Sequence, residues 1–128
     1  MIVVDSSALF AILQGEAEAE DCRRVIADAR GLLIAAPTLT ETLVVALARQ
    51  LHGEMANLIA ALDLRVVPLT EALAYAAVRA YRDWGKGINP ASLNICDVFA
   101  YALAKEHDCP LLFVGDDFAL TDVAPALA

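Results

Sequence analysis

Ile2-Val3-Val4-Asp5-Ser6-Ser7-Ala8-Leu9 sets an apolar run against a carboxylate and two serines, and a second apolar run follows. Such a run reads as a short buried strand passing directly into a helix, because Asp and Ser satisfy the free N–H groups of a helix start. The same signature returns near the other end, where Leu111-Leu112-Phe113-Val114 runs into Gly115-Asp116-Asp117. Between them strand and helix signals alternate. Residues 2–4, 32–36, 65–67 and 111–114 read as strands, with Pro68 ending the third and a weak fifth signal near Val123. Helices are expected at about 7–13 (stopped by Gly15), 17–29, 38–51, 54–62, 71–84 and 95–106. In the fifth of these, Leu73, Ala76, Ala77, Ala80, Tyr81 and Trp84 share one face at i, i+3, i+4 spacing; in the sixth, Ile95, Val98, Phe99, Ala102 and Leu103 are expected inward. Alternation of this kind implies an α/β fold in three layers, α/β/α, around a mostly parallel sheet of four or five strands.

Residues 1–128 carry no linker, repeat or low-complexity segment and are read as one domain with a real core. The hydrophobic fraction is 59%, much of it alanine, and charges interrupt every apolar run. No stretch approaches the roughly 20 apolar residues of a membrane span. Met1 to Asp5 lacks the basic region of a signal peptide, so a cytoplasmic protein is expected. Cys22, Cys96 and Cys109 are odd in number and lack CxxC spacing, which argues against a disulfide framework and against zinc.

Asp5, Glu41, Asp97 and Asp116 all fall just past strand-like runs or in the first turn of expected helices. Carboxyl ends of parallel strands and the following helix starts lie along one edge of the sheet, so carboxylates distant in sequence meet there. Such a cluster repels itself unless a cation is present, and hard divalent cations prefer oxygen ligands. Each acid also has a structural role open to it. Asp5 suits a helix cap; Thr38-Leu39-Thr40-Glu41 fits a capping box; Asn94-Ile95-Cys96-Asp97 fits one with the shorter Asp; Gly115-Asp116-Asp117 suits a turn, in which either acid faces the site.

A net charge of −8 argues against a tight, non-specific RNA binder, which would show a basic footprint. Setting the four acids aside leaves 13 acids against nine bases, a balance of −4. Arg79, Arg82 and Lys86, three and four apart on the polar side of the 71–84 helix, are the candidate phosphate ridge, against the plainer reading of a solvated face. His52 and His107 stand beside no acid–base constellation and are expected at the surface; Trp84 and Tyr81 are expected in the core or an interface.

Asp5-Ser6-Ser7-Ala8-Leu9, Thr40-Glu41, the run Leu93-Asn94-Ile95-Cys96-Asp97-Val98-Phe99-Ala100-Tyr101-Ala102-Leu103-Ala104 and Leu111 to Phe118 with Thr121-Asp122-Val123 together resemble a PIN domain. More narrowly, order, spacing and length resemble the VapC toxins of type II toxin–antitoxin pairs over the whole chain. The resemblance implies a Rossmann-like sheet and an endoribonuclease dependent on Mg²⁺ or Mn²⁺, acting on tRNA or another structured RNA. It also implies a homodimer, and a VapB-type antitoxin that blocks the acidic groove in a hetero-oligomer. Asp5 and Asp97 match the family's principal metal ligands, while Glu41 and Asp116 match its supporting acids. Two departures stand out: Ser6 replaces a frequent Thr, and Cys96 replaces a common Gly just before the third acid.

The expected chemistry is hydrolysis by water activated on a carboxylate-held ion, with Ser7 bonding a ligand carboxylate or a phosphate oxygen. Other classes fit less well. A receiver domain needs a Lys after a late strand, and Lys86 and Lys105 follow none; a haloacid-dehalogenase-type phosphatase needs Asp-x-Asp where Ser7 stands. A PIN module acting through protein contacts alone remains the alternative.

Overall fold

The computed structural model describes residues 1–127. Strands β1 (Ile2–Val4), β2 (Leu32–Ala35), β3 (Arg65–Val67) and β4 (Leu111–Leu112) form one sheet in the order β3-β2-β1-β4, every pair parallel. The helices are α1 (Ser6–Leu13), α2 (Ala19–Asp28), α3 (Ala36–Ala48), α4 (His52–Leu62), α5 (Glu71–Trp84) and α6 (Asp97–Glu106), with a 3₁₀ turn at Phe118–Leu120. Side chains alternate across a strand, so neighbours in sequence serve opposite layers. Val3, Leu33 and Leu111 pack against Leu73, Ala77 and Ala80 of α5 and Val98 and Leu103 of α6. Ile2, Val4, Leu32, Ile34 and Leu112 pack the other way, against Ala8 and Leu9 of α1, Cys22 of α2, Ala46 of α3 and Met55 of α4. Both faces of the central strands are covered, which is why β1 and β2 are continuous apolar runs rather than alternating ones. Each fully buried Leu or Ile contributes on the order of 1.5–3 kcal/mol. The three-layer α/β architecture expected from the sequence is present, with four strands.

Several boundaries differ from expectation, and four of the differences have a local cause. Helix α3 starts at Ala36 rather than near residue 38, because Pro37 sits in its first turn, where its fixed φ fits and its missing N–H costs nothing. Helix α6 starts at Asp97, which leaves Ile95 outside it and 66% exposed instead of inward. Strand β4 stops at Leu112 because β1 ends at Val4; the Val114 N–H has no strand partner and donates to Ser7 Oγ (3.0 Å). The weak fifth strand is a single parallel bridge between Leu111 and Pro125, in which Leu111 N–H donates to the Ala124 carbonyl (2.8 Å). Ala126 N–H donates in return to the Leu111 carbonyl (2.9 Å). Among the described residues, no helix is long and apolar enough to cross a membrane.

Candidate active site

Asp5 occupies the single step between β1 and α1 and caps that helix, with extended backbone at φ −91° and ψ 157°. Its Oδ2 accepts from the Ser7 N–H (3.1 Å) and from the Ser7 hydroxyl (2.6 Å). The same Ser7 oxygen accepts from Val114 N–H, so one hydroxyl joins the Asp5 carboxyl to the segment that leads into Gly115-Asp116-Asp117. Gly115 has φ +106°, a conformation glycine adopts freely.

Asp97 enters from α6 on a reciprocal cap. Asn94 Oδ1 accepts from the N–H groups of Cys96 and Asp97 (both 2.9 Å), and Asp97 Oδ2 accepts in return from Asn94 N–H (3.0 Å). The Asn94–Asp97 capping box therefore exists, and it aims a carboxyl that is 9% exposed into the same region as Asp5. Cys96 has helical backbone (φ −79°, ψ −37°), so a side chain in place of glycine costs nothing there. The Thr38–Glu41 box does not form. With the helix begun two residues earlier, Thr38 Oγ1 is buried without a partner, and Glu41 Oε1 instead accepts from the Ser6 hydroxyl (3.1 Å). Glu41 is thereby turned towards the N-terminus of α1.

The carboxyls sense one another. Burial, with a smaller contribution from the Glu41 charge, lifts Asp5 to about 6 against the lowering effect of its Ser7 bonds. Burial lifts Asp97 to about 7; the Asn94 bond opposes this, while the charges of Asp5, Asp117 and Glu41 add to it. Of the Asp116-Asp117 pair, the Asp117 charge is among those raising Asp97. The Cys96 thiol is pushed up to about 11 by burial and by Glu41, so it stays protonated and is no nucleophile.

The donor set suits a hard cation that keeps part of its water shell. All of it is carboxylate and hydroxyl oxygen, and burial holds two of its acids near neutrality in the absence of positive charge. Among the described residues, no group of three or more His, Cys, Asp or Glu side chains is placed so that it could together hold a metal ion. Mg²⁺ retains several waters and binds through one or two carboxylates, so Asp5 and Asp97 with outlying acids fit its habit.

The remaining sequence candidates disperse. Arg79 borders a groove between α5 and α6, whereas Arg82 borders another beside Val78 and Ile95 and is paired with Asp83 (3.0 Å). Lys86, His52 and His107 are exposed. Sequence reasoning missed a second polar cluster away from the acids. Trp84 Nε1 donates to Tyr101 Oη (2.9 Å), Tyr101 Oη donates to Asp122, and Lys105 Nζ binds Asp122 (3.2 Å). Tyr101 is pushed up to about 12 by burial and by its bond to Asp122. This network fastens the C-terminal segment to α5 and α6; its signal in the sequence was Tyr101 within the apolar stretch Val98–Ala104.

A parallel sheet whose carboxyl edge carries buried, mutually repelling carboxylates defines a class of metal-using hydrolytic folds, and the PIN domain pattern matches residues 2–124. The chain belongs to the PIN-domain family, within its VapC ribonuclease toxins. It is 36% identical over 130 residues to Ribonuclease VapC42 of Mycobacterium tuberculosis, with 98% of each chain covered. Its fold matches the crystal structure of M. tuberculosis VapC20, described as a sarcin-ricin loop cleaving toxin, with a TM-score of 0.77, 18% identity and 97% of each chain covered. A toxin–antitoxin complex from Klebsiella pneumoniae matches with a TM-score of 0.72 and 18% identity, over 95% of this chain and 93% of that one.

Ser7→Ala tests the geometry directly. Removing the hydroxyl leaves the Val114 N–H unpaired and strips the Asp5 carboxyl of its shortest bond, so stability is expected to fall by about 1–3 kcal/mol. Denaturant midpoints at fixed pH measure it; an unchanged midpoint would mean that Ser7 clamps nothing.

Proposed function

We propose that this single domain is the toxin of a type II toxin–antitoxin pair and a Mg²⁺- or Mn²⁺-dependent endoribonuclease that hydrolyses a structured RNA, with tRNA the leading candidate. The observation that carries this reading is the meeting of two buried carboxyls, Asp5 and Asp97, lifted to about 6 and about 7 with acidic neighbours around them. Both spend Oδ2 on cap bonds. Their second oxygens are the ones to hold an ion. Glu41 and Asp117, with Asp116 beside it, complete the acidic surround. When bound there, a divalent ion supplies a strong oxygen nucleophile near neutral pH and positive charge against the scissile phosphate.

The chain's own part is positional. Ser7 fixes the Asp5 carboxyl, the Asn94 cap fixes Asp97, and Ser6 fixes Glu41, so the acids are set before RNA arrives. None of these groups needs the RNA 2′-hydroxyl, so the products are a 5′-phosphate and a 3′-hydroxyl. An antitoxin that inserts a basic side chain among the acids would neutralise them and exclude the ion, on electrostatic grounds. Inside the cell, the toxin is expected to be a homodimer held in a hetero-oligomer with that antitoxin.

The test is to incubate antitoxin-free protein with total tRNA and Mg²⁺ or Mn²⁺, with EDTA in parallel, and to map the fragment ends. Discrete cuts lost in EDTA and ending in 5′-phosphate support the reading. Cyclic 2′,3′-phosphate ends would overturn the mechanism. Folded protein that cuts neither tRNA nor rRNA would favour a non-catalytic module.

A further inference from the structure

Helices α1 and α3 run side by side and in step. Ser6 Oγ donates to Glu41 Oε1 (3.1 Å), and two turns later Arg49 Nη1 donates to Gln14 Oε1 (3.0 Å). Both pairs span 35 residues of sequence, so the helices are parallel and share a register. Ser6, Phe10 and Gln14 form one row at i, i+4, i+8 spacing; Glu41, Val45 and Arg49 form the other. Between the rows lies a groove of about 310 Å³, with Ser6, Ser7 and Glu41 at one end, Phe10 and Val45 along it, and Arg49 at the far end.

Arg49 is not a loose surface charge. Its guanidinium lies 4.7 Å from the centroid of the Phe10 ring, itself only 7% exposed, and a second contact to Gln14 fixes its orientation. Glu16 also borders the groove, yet Arg49 makes no ion pair among the described residues. The Gln14 bond uses one of five guanidinium donors. Arg49, at the C-cap of α3, stands eight positions beyond Glu41, about 12 Å along the axis. A fixed cation at the end of a groove that begins among carboxylates suits a chain of phosphates whose other part must approach those carboxylates.

We propose that the α1/α3 groove carries the RNA strand away from the point of cleavage and that Arg49 binds a backbone phosphate there, distinct from the scissile one. This placement rests on the ribonuclease reading above. Arg49 is a positioning residue: it holds substrate and touches no reacting atom. It also gives an acidic protein a grip on a polyanion outside the ridge expected from Arg79, Arg82 and Lys86.

The experiment is the kinetics of the discrete tRNA cuts by the parent, Arg49→Gln and Arg49→Lys across 50–200 mM NaCl, with thermal midpoints alongside. Gln preserves a polar partner for Gln14, and the site is exposed, so both variants are expected to fold. Arg49→Gln should raise KM about 5- to 10-fold and leave kcat within about twofold. It should also make the slope of log(kcat/KM) against log[NaCl] shallower by about 0.7, the share of one phosphate contact on a single strand. Arg49→Lys should restore most of that slope, because a point charge suffices for counterion release. The proposal is overturned if Arg49→Gln keeps the parent's KM and slope, or if both variants lose activity in proportion to a lowered midpoint. A parent that cuts nothing brings down the ribonuclease reading itself, a different outcome from a parent that cuts and ignores the change at Arg49.

Discussion

Asp97→Asn is expected to reduce RNA cleavage by at least about 100-fold while leaving the protein folded and, without metal, no less stable than the parent. The capping box makes this variant informative. Asn at position 97 still presents an oxygen to the Asn94 N–H, so the reciprocal cap survives. What disappears is an ionisable carboxyl that burial and the charges of Asp5, Asp117 and Glu41 already disfavour. Asp97→Ala separates the two roles further, since it loses the cap as well and should cost about 0.5–2 kcal/mol relative to Asn. Asp5→Asn should behave like Asp97→Asn, because its oxygen can still accept both Ser7 bonds. Thermal melts in EDTA, run beside the tRNA assay, give both readouts. An Asp97→Asn protein that is unfolded, or folded and fully active, would remove Asp97 from the metal-holding set.

The metal-free protein is expected to be more stable at pH 5 than at pH 8, the reverse of the usual acid behaviour of a paired carboxylate. Asp5 and Asp97 have folded-state values of about 6 and about 7, above the ordinary value of 3.8 that holds in the unfolded chain. Between these limits the folded protein binds more protons, so stability falls as pH rises. The contribution is complete below about pH 4 and is lost as pH passes through 6 and 7. From Asp5 alone, which is 3% exposed, the full loss is on the order of 3 kcal/mol. The two values lie about one unit apart, so their transitions overlap in one broad fall. Millimolar Mn²⁺ or Mg²⁺ should recover the loss at pH 8 and do little at pH 5, where protons occupy the oxygens the ion would use. Unfolding midpoints across pH, with EDTA or with metal, measure this, and Asp97→Asn should flatten the curve. Midpoints in EDTA that rise from pH 5 to pH 8 would contradict it.

Strands and helices were legible in the sequence because apolar runs and their periodicity are local facts. The same holds for Asp5, whose place between strand and helix is set by its immediate neighbours. Features that depend on where another element stops were not legible. Strand β4 is short because β1 ends at Val4 and Ser7 claims the Val114 N–H, 107 residues away in sequence. Glu41 escaped its expected box because Pro37 starts α3 early, which leaves Glu41 to meet Ser6 across helices. Asp97 was weighed as cap or ligand, whereas the cap bond uses one carboxyl oxygen and leaves the other outside it. The surface position of Ile95 and the Tyr101–Asp122 fastening follow from tertiary placement, for which no local pattern exists. Arg49 carried no signal at all, since its meaning lies in Phe10 and Gln14 on a neighbouring helix.

The equal spacing of the two cross-links between α1 and α3 bears on which length changes the lineage can tolerate. The loops on either side of α2, between α1 and strand β2, lie between the paired rows, and residues added or lost there leave both cross-links in phase. A single insertion between Glu41 and Arg49 is another matter. It turns everything beyond it by about 100° around the helix, carrying the guanidinium off Phe10 and out of the groove. Drift in length should therefore accumulate in the loops beside α2 and be purged from the interval between Glu41 and Arg49.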